Sequence, residues 1–144
     1  MISRKIKRSY LPIIFVMALL VMSLNTPTES DGFEIAIDVA PNTLNIASQG
    51  QVVTVHTSIA FSYVVGGTVS LNEIEISWWK ADNQGNFVAK FEMSEVKALA
   101  DSGDLAVPGE NELTLVGFTT EGVEFTGSEV ITVIDVAPVG AGGK

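Results

Sequence analysis

From Phe33 onward apolar and polar residues exchange at every second position over long stretches, the signature of half-buried β-strands. The densest case is Asn111 to Asp135, NELTLVGFTTEGVEFTGSEVITVID. Leu113, Leu115 and Gly117 form one row and Glu112, Thr114 and Val116 the other, which sets the first row against a core. Glu121-Gly122 folds this strand back into Val123 and Phe125. Thr126-Gly127-Ser128 reads as a second turn. Val130 to Val136, apolar at nearly every position, reads as a further strand buried on both faces.

The same pattern divides the preceding chain. Phe33 to Val39 is the first strand, with Phe33, Ile35, Ile37 and Val39 on one face. Leu44 and Ile46 follow Pro41-Asn42 and plug the sandwich end. After the turn Ser48-Gln49-Gly50, Val52 to Ser58 alternates again, and Ile59 to Val65 is an irregular apolar connection broken by Gly66-Gly67. Val69 to Trp79 predicts one strand with Ile74, Ile76 and Trp78 inward and Glu73, Glu75 and Ser77 outward. Asp82 to Asn86 turns it into Phe87 to Met93, placing Lys90 and Glu92 across from Glu73 and Glu75. Ser94 caps a short helical turn, Glu95 to Ala100, before a loop over Asp101 to Gly109. About seven or eight strands with turn residues between them predict an all-β fold, an antiparallel immunoglobulin-like β-sandwich over residues 31–136.

The two ends differ in composition. Residues 1–30 have the layout of an export signal: Arg4, Lys5, Lys7 and Arg8, an apolar run from Leu11 to Leu24, then a polar stretch to Ser30. As a helix the run spans about 21 Å, short of the roughly 30 Å hydrocarbon core, which favours a signal peptide over a retained N-terminal anchor. Residues 137–144 are small and glycine-rich, a flexible tail. The chain is then secreted or held at the cell surface, with no membrane contact after signal removal.

Charge narrows the partners. From Asp31 onward four lysines, Lys80, Lys90, Lys97 and Lys144, stand against sixteen carboxylates, and there is no arginine. A phosphate-binding surface needs clustered cations, so nucleic acid is excluded as a partner. The chain has no cysteine, which removes disulfides, thiolate metal sites and cysteine nucleophiles.

Catalytic constellations are sparse. His56 is the only histidine and lies in a strand pattern without a second ligand or a G-x-S-x-G elbow, so it reads as a structural or surface residue. Glu73 and Glu75 share a strand face at a separation of about 6.6–7 Å, within the range of inverting glycosidases, but nothing near them supplies a pocket. Asp82, Asn83 and Asn86 are the candidate calcium ligands, since calcium takes carboxylate and amide oxygens. The spacing is not that of an EF-hand, because Gly85 comes fourth in the loop and Met93 twelfth. Trp78 and Trp79 point to opposite faces of one strand, so one belongs to the core and the other is exposed for a sugar or a protein. The chain is accordingly not read as an enzyme, and no cofactor other than calcium is expected.

Four segments carry a resemblance: PNTLNIASQG, the VTVHT that follows, ADNQGNFVAKF and LTLVGFTTEGVEFTGSEVITVI. Together they resemble a recurring β-sandwich domain of secreted and cell-surface proteins of archaea and bacteria, here as a solitary copy over about Phe33 to Val136. The resemblance implies fold and location, with structural or adhesive roles and no catalytic residue. The expected function is a non-catalytic structural or adhesion protein that associates with itself through strand edges. The alternative is an extracellular binding module for a glycan or protein ligand, stabilised by calcium.

Overall fold

The computed structural model describes residues 32–137; the expected leader over 1–30 and nearly all of the tail lie outside them. Two sheets enclose one core. The first is six-stranded, with β1 (Phe33–Glu34), β10 (Glu124–Ile134), β9 (Gly109–Phe118), β5 (Ser70–Leu71) and β6 (Ile74–Glu75) in that order, and β3 (Thr43–Asn45) also against β10. The second is four-stranded, in the order β2 (Ile37–Ala40), β4 (Val52–Ala60), β8 (Asn86–Glu92) and β7 (Trp78–Ala81). This is an all-β sandwich. Antiparallel pairing dominates, but β1 and β3 both run parallel to β10. Phe87, Phe91, Phe125, Leu113, Leu115 and Ile131 are among the largest fully buried side chains, drawn from both sheets. Among the described residues no helix is long and apolar enough to cross a membrane.

The expected first strand is divided between the sheets. Ile35 donates its N–H to Thr126 O in the first sheet at 2.8 Å, while Ser58 N–H donates to Ala36 O in the second at 3.0 Å. The chain therefore changes sheet between two adjacent residues, then returns, and Thr132 N–H donates to Asn42 O. Glu129 reaches into the gap left on β10 and accepts the Val39 N–H. Phe33 is consequently half exposed rather than core.

That crossing corrects the reading of Thr126-Gly127-Ser128. It is no turn but the middle of β10, an eleven-residue strand paired with β9 from Glu124↔Phe118 to Val133↔Gly109. Gly127 is there because the crossing strand lies on it: a Cβ would stand 2.6 Å from Ile37 Cγ2 and 2.9 Å from Ile35 O. Val130 to Val136 is likewise not buried on both sides. Ile131 and Val133 face the core and Val130 is half exposed.

Val69 to Trp79 is broken as well. β5 and β6 form a tight hairpin, Leu71↔Ile74, whose turn residues Asn72 and Glu73 have φ of 44° and 70°. Two positive φ values in a two-residue loop match a type I′ turn, whose twist suits the strands. Asn72 earns its place by holding β9: Thr114 N–H donates to Asn72 Oδ1 at 2.7 Å, and Asn72 N–H to Thr114 O at 3.0 Å. Glu73 has no such tie. Glu73→Gly is expected to raise stability by a few tenths to about 1 kcal/mol, the relief of a left-handed conformation set against glycine's entropy, measured by denaturant unfolding.

Ile76 and Ser77 then carry the chain across to β7. Lys90 therefore faces Trp78 and not Glu73, and Glu92 accepts a hydrogen bond from Ser77 Oγ. The helix α1 spans Met93–Asp101 and begins directly off β8, so Ser94 lies in its first turn and caps nothing. Its Met93 and Val96 are buried, and Lys97 Nζ donates to Ser48 O.

Candidate functional site

β7 is the outer strand of the second sheet, and all four of its residues are exposed. Asp82 N–H donates to Asn86 O across the hairpin. Alternation along an antiparallel ladder then turns the backbone groups of Trp79 and Ala81 toward the open side, where they have no backbone partner among the described residues. Unpaired N–H and C=O groups on such an edge are a template for another chain.

Both tryptophans are exposed, Trp78 at 47% and Trp79 at 40%, which corrects the expectation that one of them is core. They do point to opposite faces. Trp78 lies on the outward face of the sheet, with Lys90 Nζ 4.8 Å from its ring centroid, a cation–π contact from the neighbouring strand. Trp79 lies over Gly66, where a Cβ would come within 2.1 Å of its ring. Neither is buried because the strand is at the sheet margin, where no further strand flanks it. The period-2 pattern supplies faces but not a strand's place within a sheet.

The outward face around Trp78 is ordered in rows. Lys80 pairs with Val88, which pairs with His56, which pairs with Asp38 on β2. His56 is exposed there, and among the described residues no three His, Cys, Asp or Glu side chains gather as a metal site. Glu73 and Glu75 do not form the expected pair on one strand face, since Glu73 is in the turn.

Asp82 works on its own loop. Its Oδ1 accepts the N–H groups of Gln84 at 2.8 Å and Asn86 at 2.9 Å, while Gly85, at φ 82°, completes the turn. The Asn86 N–H above all, with that of Gln84, holds the Asp82 carboxyl below its ordinary range, against a smaller opposing effect of desolvation. A carboxylate whose folded pKa is depressed stabilises above its unfolded pKa, and that contribution fades as pH falls through the folded value. Asp82→Ala is therefore expected to lower the melting temperature at neutral pH. Asp82→Asn, which keeps an acceptor, is expected to lose less there and to flatten the acid limb of a melting-temperature profile below about pH 4. Asn83 and Asn86 complete the candidate calcium set on the same loop, adjoining the end of β7.

A second feature lies at one end of the sandwich. A groove of about 570 Å³ runs between Phe33, Ile59, Tyr63, Thr119 and Val123, with Glu121 at its rim. Phe33 and Tyr63 leave large apolar surface there, and neither was singled out from the sequence as a surface residue. The signal was present only as the irregular apolar run Ile59 to Val65.

Comparison of the chain with family models, with characterised proteins and with solved structures found no match.

Proposed function

We propose that the protein is a non-catalytic structural or adhesion protein, secreted or held at the cell surface, that associates with further copies of itself through the β7 edge. The carrying observation is that edge: an open strand, exposed at every position, with both tryptophans half uncovered. Exposed large aromatic side chains beside unpaired backbone are what association surfaces are made of. The export-like start of the sequence and the resemblance to surface domains support the location. The described size and two-sheet layout support an immunoglobulin-like sandwich.

A second reading is favoured by Trp78 and Trp79 themselves, which offer rings to a sugar. On that reading the protein is an extracellular binding module for a glycan or protein ligand, with calcium at Asp82, Asn83 and Asn86 stiffening the neighbouring loop. Trp78→Ala separates the two. If β7 joins copies, the variant loses assembly, because a buried interfacial tryptophan commonly costs 2 kcal/mol or more on truncation. If it binds glycan, retention on a polysaccharide column falls while mass stays the same. No change in either measurement would refute a role for this surface.

A further inference from the structure

Self-association through β7 leaves open which strand meets it, and the other sheet edges answer that. In the second sheet the opposite edge is β2, whose outward Val39 N–H is already taken by the Glu129 carboxylate from β10. In the first sheet β1 and β6 are two residues long each. On β6, Ile74 pairs with Leu71 in the hairpin and Ile76 N–H donates to Val69 O, so only Glu75 turns its backbone outward, with a carboxylate beside it. β3 has three residues, and the Asn45 O on its outer side accepts the Ser48 N–H. β7, with four residues and the backbone of both Trp79 and Ala81 unpaired, is the longest open edge among the described residues.

Backbone groups on an open edge are satisfied by the edge of another strand. We infer that β7 of one copy pairs with β7 of a second copy, antiparallel about a twofold axis, so that the two four-stranded sheets become one continuous sheet. The pairing rests on the self-association proposed above. It is isologous, so this joint closes at two copies and consumes the open edge of each.

Alternation limits the register. Trp79 and Ala81 are the residues of β7 that turn their backbone outward, so the hydrogen-bonded pairs centre on them. Setting Trp79 against Ala81 of the second copy would place Lys80 directly across from its own counterpart, a like-charge pair at the closest spacing in a ladder. Centring on Ala81 would carry Trp79 past the end of the other β7, because Asp82 already belongs to the turn. With Trp79 opposite Trp79, the two inward indoles become cross-strand neighbours. On the outward side each Lys80 then lies across from Trp78 of the other copy, repeating the cation–π contact that Lys90 makes from β8.

The chain has no cysteine, so single-cysteine variants of the full exported chain read this joint directly. Cα atoms of a hydrogen-bonded antiparallel pair stand about 5.5 Å apart, within reach of a disulfide. Under mild oxidation Trp79→Cys is expected to form a covalent dimer at least about tenfold faster than Val130→Cys, which is half exposed on the first sheet. Because that variant also removes an indole, Ala81→Pro gives a second reading. The Ala81 N–H has no partner within its own copy, so the variant is expected to fold, as melting curves check, and to associate at least about tenfold more weakly. Fast crosslinking at residue 79 together with dissociation by Ala81→Pro supports the pairing. If the wild type assembles while Trp79→Cys crosslinks no faster than Val130→Cys, or while Ala81→Pro assembles unchanged, the pairing of β7 with β7 is wrong and self-association stands through another contact. A monomeric wild type overturns both.

Discussion

Gly127→Val is expected to lower the stability of the domain by about 3 kcal/mol or more, enough to leave a marginal sandwich partly unfolded. The position has no positive φ and sits in the middle of an eleven-residue strand, so conformational freedom is not what it supplies. Space is. The first strand leaves β10 at Thr126 and crosses toward the second sheet directly over Gly127, with Ile37 Cγ2 and Ile35 O at 2.6 and 2.9 Å from where a Cβ would stand. Ile35 O is backbone, held by the pairing on either side of it, so it does not yield as the tip of a side chain does. Gly127→Ala is expected to cost about 1–3 kcal/mol for the same reason. Gly67→Ala is the control: nothing lies within 4 Å of a Cβ there, and its φ is not positive, so little change is expected. Urea unfolding of the three variants measures the comparison. A Gly127→Val protein as stable as the wild type would mean that the first strand does not cross at this point.

Phe125→Ala is the other large effect, expected at about 3–5 kcal/mol. Phe125 is fully buried, pairs with Gly117 on β9 and with Phe33 on β1, and has its ring centroid 6.3 Å from that of Phe33. It thus joins the longest hairpin to the first strand, and its removal opens a cavity that two sheets must collapse to fill. Phe125→Leu keeps most of the volume and is expected to cost less than about half as much. The same denaturant series reads both. Equal losses for leucine and alanine would indicate that ring shape, rather than filled volume, sets the cost.

These two positions also mark how far the sequence could be read. Alternation places Leu113, Leu115 and Gly117 on one core-facing row, and the structure has them buried there, because a strand's side-chain period is local and fixed by the backbone. What alternation does not carry is the identity of the neighbouring strand. Phe33 to Val39 alternates without a break although its two halves belong to different sheets, and Val69 to Trp79 does so although a hairpin and a crossing interrupt it. In the second case a type I′ turn is built on Asn72 and Glu73 without the glycine that ordinarily announces it. The reverse error occurs at Gly127, where a residue typical of turns answers a close approach from a strand ninety positions earlier in the chain. Asp82 to Asn86 was legible as a turn because its chemistry is contained within the loop. The exposure of both tryptophans was not, since it depends on β7 being at the margin of its sheet.

The same limit applies to the surface around Trp78. Lys90 lies twelve residues from Trp78 in sequence and meets it only through the pairing of β7 with β8. Four lysines among sixteen carboxylates look like sparse compensation in a list of residues. Pairing sets one of them over the exposed indole.

The mass distribution of the exported chain, by light scattering after size exclusion on material recovered from the medium or the cell surface, tests the self-association most directly. A population of two or more subunits, dispersed by Trp78→Ala, is the predicted result. A clean monomer across the accessible concentration range would contradict it and leave Trp78 and Trp79 to a glycan or protein ligand.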